Sequence, residues 1–219
     1  MFIGHFGLAF GARKAAPAVS LGTLFIACQF ADLLWPTLVL LGIERVEIDP
    51  GGPAMTPVDF VSYPWSHSLE ALCLWGVAFG AAYVAVRRAR ISAAVTLALL
   101  VVSHWVLDVV THRRDMPLTL YGATRLGLGL WYSIPGTLAV EFLVFGAGLV
   151  LYVRTTAARD RIGSIALWSL VAFLLVVYFA SSFGPPPPSP AALAWSAQAM
   201  WLLIAWGYWV DHHRTPRRN

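Results

Sequence analysis

The chain has 219 residues, of which 58% are hydrophobic and only 12% are charged, and its mean hydropathy is +0.69. Soluble domains contain about a quarter charged residues, so this composition excludes an ordinary soluble domain and is typical of a protein embedded in a bilayer. The net charge of +4 does not indicate nucleic-acid binding, because the basic residues lie between apolar segments and form no single patch. Neither Cys28 nor Cys73 has the spacing of a zinc or disulfide motif.

Six apolar segments are each long enough to cross a bilayer as a helix. In chain order they are residues 19–42, 66–87, 91–112, 132–154, 162–183 and 191–211. The predicted fold is an all-α polytopic transmembrane helical bundle, with residues 1–219 forming a single integral membrane domain. Within it, residues 1–155 carry the polar helices and an N-terminal re-entrant or interfacial segment, whereas residues 160–211 supply two additional packing spans.

The basic residues give this bundle an orientation. The connections after the second and fourth spans are short and basic, whereas the connection after the first is long and acidic. With both termini in the cytoplasm, eleven of the fifteen Lys and Arg residues lie on the inner side, which satisfies the positive-inside rule. The eleven are Arg13, Lys14, Arg87, Arg88, Arg90, Arg154, Arg159, Arg161, Arg214, Arg217 and Arg218. We therefore predict a bacterial-type inner-membrane protein, N-in and C-in.

Several acids and histidines lie inside or beside the first four spans, where an ionised side chain costs about 2.5–3.5 kcal/mol even on the most lenient insertion scale. They are Asp32, His67, Glu70, His104, Asp108, His112 and Glu141. Spans five and six have no such residue before Asp211. The first four spans are therefore predicted to surround one polar site.

The spacing of these residues indicates metal ligation. His104 and Asp108 are four residues apart and His112 extends the same helix face by another turn, so all three point to one side. His67 and Glu70 share a face of the second span. Neutral imidazole and carboxylate are ligands of zinc, and facing helices are where bundles build metal sites. Counted from the span ends, these groups converge in the outer half of the membrane, on a cavity open to the outside.

These residues resemble the YdjM-like family of inner-membrane metal-dependent hydrolases. The likeness covers roughly the first 140 residues and is carried by Gly4-His5, Asp32, Ser66-His67-Ser68-Leu69 and His104-x-x-x-Asp108-x-x-Thr111. That family is similar to the zinc-dependent phospholipase C and P1 nuclease group, which holds several zinc ions with His and Asp. The resemblance implies that His5, Asp32, His67, His104 and Asp108 are metal ligands. Ala31 precedes Asp32 where many relatives have Pro-Asp, so the number of metals is left open.

Two functions are compatible with this site. In the first, Zn²⁺ or another divalent transition metal activates a water that attacks a phosphodiester or phospholipid-type ester, with Glu141 or Glu70 as general base. Arg113, Arg114 and Arg125 would bind the phosphate, and the partner would be a membrane lipid. In the second, the same groups move a cation or relay protons. The absence of internal repeats and of paired broken helices argues against a secondary transporter. A non-catalytic membrane protein with a structural metal is a third alternative.

Overall fold

The computed structural model describes residues 1–217, and most of them are helical. Arg218, one of the basic residues used for the orientation, lies outside the described residues. The helices are α1 (Ile3–Ala12), α2 (Leu21–Cys28), α3 (Phe30–Leu40), α4 (Pro64–His67), α5 (Leu69–Arg87), α6 (Ile91–Thr111), α7 (Ile134–Thr155), α8 (Arg161–Phe183), α9 (Pro190–Ala197) and α10 (Met200–His212). The strands are β1 (Arg45–Ile48), β2 (Val58–Ser62), β3 (Met116–Pro117), β4 (Arg125–Leu126), β5 (Thr156–Ala158) and β6 (Arg214–Pro216).

Four helices, α5 to α8, are long and apolar enough to cross a membrane. The pair α2 and α3 meets the same criteria when taken as one span, although the two helices are bent by 57°. The prediction of a multi-pass helical membrane protein is thus confirmed with four or five spans in the described residues. The predicted sixth span, 191–211, is divided into α9 and α10 at Gln198 and Ala199.

The first predicted span is broken close to its acid. α2 ends at Cys28 and α3 begins at Phe30, so the break falls at Gln29, three residues before Asp32. The sequence predicts a bend at Pro36, because proline has no N–H to donate to the carbonyl of Asp32. Pro36 instead lies inside α3. The break brings the first turn of α3, with Asp32, to the polar centre of the bundle.

Helix α1 is buried among α2, α6 and α7, so it does not lie in the interface as an amphipathic helix would. Ile3, His5 and Phe6 are fully buried. Glycines allow close contact with α7: a Cβ added to Gly148 would lie 1.8 Å from the Gly7 carbonyl oxygen. This small-residue packing, typical of membrane helices, fixes the depth of His5.

The two broken helical pairs pack against each other. α2 contacts α10 and α3 contacts α9. A hydrogen bond joins the Thr23 and Tyr208 hydroxyls at 2.9 Å, and Gln198 Nε2 donates to Thr37 Oγ1 at 3.0 Å. The structure thus has one sharply bent helix pair, α2–α3, and a second interruption, between α9 and α10. Within residues 160–211, predicted as packing spans, α9 contacts α3, and α10 contacts both α2 and α8.

Short antiparallel pairs close the two ends of the bundle. β1 pairs with β2 and β3 with β4 in the connections that follow α3 and α6. β5 pairs with β6, which joins the connection after α7 to the end of the described chain. Since α7 is 22 residues long, β5 and β6 lie about 33 Å along the helix axis from the other two pairs. The polar residues gather near the β1–β4 end.

Candidate metal centre

Helix α6 supplies two members of the polar cluster from successive turns. His104 and Asp108 are both buried, and His104 Nε2 lies 3.1 Å from Asp108 Oδ2. The same carboxylate oxygen is 3.8 Å from Nε2 of His112, which caps the C-terminal end of α6. The shared face predicted from the four-residue spacing is thus present in the structure.

Two further members come from α3 and α4. Asp32 Oδ1 lies 3.4 Å from His67 Nε2 and 3.7 Å from His104 Nε2. His67 Nε2 is in turn 4.0 Å from Asp108 Oδ2. Asp32 is the most accessible of the four, with 26% of its side chain exposed, whereas the other three side chains are no more than 3% exposed.

Three histidines present the same nitrogen to the cluster because the other nitrogen has an acceptor. His104 Nδ1 donates to the Cys28 carbonyl oxygen at 2.8 Å, and His112 Nδ1 faces Asp115 Oδ1 at 3.0 Å. His67 Nδ1 lies 2.7 Å from Ser66 Oγ. Neutral imidazoles held in this way direct their Nε2 lone pairs inwards, towards two carboxylates. The Nε2 lone pairs and the carboxylate oxygens are all acceptors, so this arrangement requires a cation or added protons between them.

Glu44 and Ser66 hold His67 in place. The Ser66 hydroxyl donates to Glu44 Oε2 at 2.6 Å and its backbone N–H donates to Oε1 at 2.9 Å, so Ser66 Oγ is left to accept from His67. Glu44 is 3% exposed, and this burial raises its pKa against the opposing effect of the Ser66 hydrogen bonds. Sequence reasoning missed Glu44, which lies in the connection after the first span. The adjacent Ser66-His67 pair was the only local pattern that pointed to a hydrogen-bonded support for His67.

His5 enters the cluster from α1. Its ring stacks on that of His104, with centroids 3.8 Å apart and planes 1° from parallel. His5 Nε2 lies 3.1 Å from Asp108 Oδ1, while its Nδ1 has no hydrogen-bond partner among the described residues. The Met1 nitrogen also donates to Asp108 Oδ1, and to Thr111 Oγ1 at 3.2 Å. The structure thus brings His5 to the site suggested for it.

The donor set fits a zinc-type ion. Ligand atoms around a tetrahedral zinc lie roughly 3.3 Å apart, given metal–ligand distances of about 2.0–2.1 Å. Two groups have all ligand atoms within 4.8 Å of one another: Asp32, His67 and His104, and His5, His104 and Asp108. His104 belongs to both groups and offers a single inward nitrogen, so one ion can use it at a time. The second nitrogens of His67, His104 and His112 have the outer partners that metal-bound histidines usually have.

Glu141 is buried beside the cluster, but both of its oxygens are engaged. Oε1 accepts from the Phe2 N–H at 2.8 Å and Oε2 from the Gly4 N–H at 2.7 Å. These are unpaired donors at the start of α1, and a carboxylate there also complements the helix dipole. The geometry therefore makes Glu141 a cap for α1, with one acceptor site on each oxygen already used by a backbone N–H.

The remaining predicted residues lie outside the cluster. Glu70 is exposed on α5 and its Oε2 accepts from the Leu120 N–H at 2.9 Å. Arg113 is committed to carboxylates: it bonds Asp59 and its Nε lies 3.4 Å from Asp115 Oδ2. Arg114 and Arg125 are exposed, and Arg125 donates to the Asp115 carbonyl oxygen at 3.0 Å. No described contact joins these four residues to the His/Asp cluster.

The cluster opens into a cavity of about 200 Å³ at the β1–β4 end of the bundle. Asp32, His67 and Asp108 line its floor, and Phe60 and Trp131 from the connecting segments line its walls. Trp131 also packs on His112, with ring centroids 4.2 Å apart. Polar groups buried in the bundle are thus reachable from that end.

Comparison with family models, with curated proteins and with solved structures finds no match to this chain. The resemblance to the YdjM-like family therefore stays a prediction, carried by the residues quoted for it.

Proposed function

We propose that the chain is a membrane-bound metal-dependent hydrolase that cleaves a phosphodiester or phospholipid-type ester. The observation that carries the proposal is the arrangement of His67 and His104, whose Nε2 lone pairs face Asp32 and Asp108 at 3.1–4.0 Å. Two groups of three donors, each with ligand atoms within 4.8 Å of one another, support a metal centre more than they support isolated ion pairs, because outer hydrogen bonds also hold His67 and His104.

The ion in this site, zinc or another divalent transition metal, would lower the pKa of a bound water and so provide a nucleophile at neutral pH. The chain's own residues prepare that chemistry. His67 and His104 are fixed through their Nδ1 atoms, and Asp108 is held between α6 and α1. Asp32, partly exposed to the cavity, completes the ligand group with His67 and His104.

The candidates for phosphate recognition are arginines of the connection after α6, at the cluster end of the bundle. Arg113 already pairs with acids of the connecting segments, which leaves the exposed Arg114 and Arg125 as the better candidates for binding phosphate oxygens. The proposal places the chain in a bacterial-type inner membrane with both termini inside. The cavity then faces outwards, within reach of lipid headgroups.

Metal analysis of the detergent-purified protein tests the proposal, followed by hydrolysis assays with bis(p-nitrophenyl) phosphate and with phospholipids. His104→Ala and Asp108→Ala should lose the metal and the activity, whereas His212→Ala, an exposed histidine on α10, should retain both. A wild-type protein that binds no transition metal, even after zinc is added, would overturn the proposal.

A second candidate is cation or proton-coupled transport. It is favoured by the bent pair α2–α3, which carries Asp32 and packs on α9 and α10, as discontinuous helices do around transporter sites. Metal uptake into proteoliposomes without hydrolysis would support it. Metal binding with neither activity would leave a structural metal as the function of the cluster.

A further inference from the structure

A large apolar cavity adjoins the metal centre. It has a volume of about 680 Å³ and lies between α3, α8, α9 and α10. Apart from Asp32 and two serines its lining is apolar, with Phe173 and Val177 on α8 and Leu203 on α10. The cavity exists because the breaks in α2–α3 and α9–α10 leave space against the continuous helix α8.

The apolar cavity lies directly against the cavity at the cluster. Five residues line both: Phe2, Asp32, Trp35, Ser181 and Leu193. The cluster cavity, at about 200 Å³, is smaller than the 300–1,000 Å³ usual for a small-molecule site, whereas the apolar cavity lies within that range. A ligand that fills both must have a compact polar part and a much larger apolar part.

The apolar cavity also borders the bilayer. Leu202 and Phe173 line it and are 71% and 45% exposed, and α8 is one of the four helices long enough to span the membrane. In contrast, Leu203 on the inner wall is 6% exposed. Hydrocarbon is the only apolar material available at that depth, so a lipid chain can reach the cavity beside Phe173 and Leu202 without crossing water.

We propose that this cavity seats a hydrocarbon chain of a lipid phosphodiester whose headgroup reaches Asp32 and the His/Asp cluster. The inference rests on the proposed hydrolase function and names its substrate class as a membrane lipid, in preference to a soluble phosphodiester. Asp32, at the junction of the two cavities, marks where the ester lies relative to the chain.

The test uses a phosphatidylglycerol with a photoreactive diazirine in one acyl chain, incorporated with the full-length protein into lipid nanodiscs. Irradiation should label Leu203, because a chain that remains in the bilayer does not reach a side chain so deeply buried. A diacylglycerol with the same diazirine chain lacks the phosphate and should label Leu203 much less. Equal labelling by both probes would show adventitious filling by lipid and overturn the proposal, as would labelling confined to Leu202 and Phe173.

Substitutions provide a matched comparison. Val177→Trp fills the cavity and should reduce Leu203 labelling about tenfold, whereas Val176→Trp, on the exposed face of the same helix, should leave it unchanged. Ala197→Phe narrows the cavity from α9 and should act like Val177→Trp. Equal effects of Val176→Trp and Val177→Trp would contradict the assignment.

The same variants separate this inference from the hydrolase proposal. Phosphate-dependent labelling of Leu203 without any hydrolysis would support the lipid-chain site and overturn the hydrolase proposal. Hydrolysis of bis(p-nitrophenyl) phosphate with no labelling of Leu203 would support the hydrolase proposal and overturn the lipid-chain site. If both hold, Val177→Trp should slow cleavage of the long-chain lipid and spare the soluble diester.

Discussion

At the residue scale, the orientation of His67 depends on a side chain that never touches the cluster. Glu44 accepts hydrogen bonds from both the hydroxyl and the backbone N–H of Ser66. Ser66 Oγ therefore accepts from His67, which fixes the imidazole proton on Nδ1. Glu44→Gln retains the shape but offers an amide donor in place of one carboxylate oxygen. We expect zinc affinity to fall by about 10–100-fold, the usual cost of losing an outer partner, as measured by competition with a chromogenic chelator.

Glu47 provides the control for that measurement. It lies on β1, three residues after Glu44, and it is exposed. Glu47→Gln removes the same charge from the same connection and should leave zinc affinity unchanged. Equal losses of zinc affinity in the two variants would show that Glu44 acts through the negative charge of the loop rather than through its hydrogen bonds to Ser66.

Glu141 is expected to affect stability more than chemistry. Glu141→Gln removes one of the two acceptors that hold the start of α1, together with a buried charge interaction. The free energy of unfolding should fall by about 1–3 kcal/mol, followed as a lower melting temperature in detergent. Hydrolysis per folded molecule should persist. An unchanged melting temperature with abolished turnover would instead identify Glu141 as the general base.

These residues also show what the sequence could predict about the site. The pairing of His104 with Asp108 could be predicted, because helical spacing alone puts them on one face. The role of Glu44 could not be predicted, because its partner Ser66 is 22 residues away and only the fold brings them together. Glu141 was recognised from its burial, but its role depends on backbone N–H groups of α1, and no side-chain pattern records where that helix docks.

At the element scale, the packing of α1 on α7 sets the position of His5. Gly148→Ala would place a methyl group 1.8 Å from the Gly7 carbonyl oxygen, so the two helices must separate. Overpacking of this kind costs about 1–3 kcal/mol, and the shift should also weaken zinc binding by moving His5 away from Asp108. Thermal unfolding and chelator competition on the same protein measure both effects.

Gly146 is the matched control on the same helix. A Cβ there has nothing within 4 Å, so Gly146→Ala should be neutral or stabilise α7 by up to about 1 kcal/mol through helix propensity. If Gly146→Ala and Gly148→Ala lowered the melting temperature equally, α7 would be sensitive to any substitution and the α1 contact would not be the cause.

The continuous spans were predictable and the broken ones were not. Residues 69–183 contain four uninterrupted apolar helices with Arg, Pro or Gly near their ends, and length and composition suffice to find them. The breaks fall at Gln29 and at Gln198, where neither Pro nor Gly gives a local signal. Packing of α3 on α9, including the Gln198–Thr37 hydrogen bond, accompanies these breaks, and such contacts are long-range.

At the scale of the whole molecule, the two ends of the bundle differ in chemistry. One end carries the cluster, its cavity and the acidic β1–β2 connection. The other is tied by β5–β6, by the Arg13–Asp211 ion pair at 3.3 Å and by the His213–Asp160 contact, which lowers the pKa of the exposed Asp160 carboxyl. The His/Asp cluster at one end and the basic residues at the other are the arrangement that the proposed orientation, with the cluster towards the outside, requires.

That orientation can be tested by cysteine labelling in intact cells. In a Cys73→Ser background, which removes the exposed native thiol, Gly51→Cys places a reactive group in the β1–β2 connection and Ala158→Cys places one in β5. Positive-inside topology predicts that an impermeant maleimide reaches Gly51→Cys from outside and reaches Ala158→Cys only after the membrane is permeabilised. The reverse result would turn the cavity towards the cytoplasm. The substrate of the proposed hydrolase would then have to come from the inner leaflet, while the geometry of the His/Asp cluster would be unaffected.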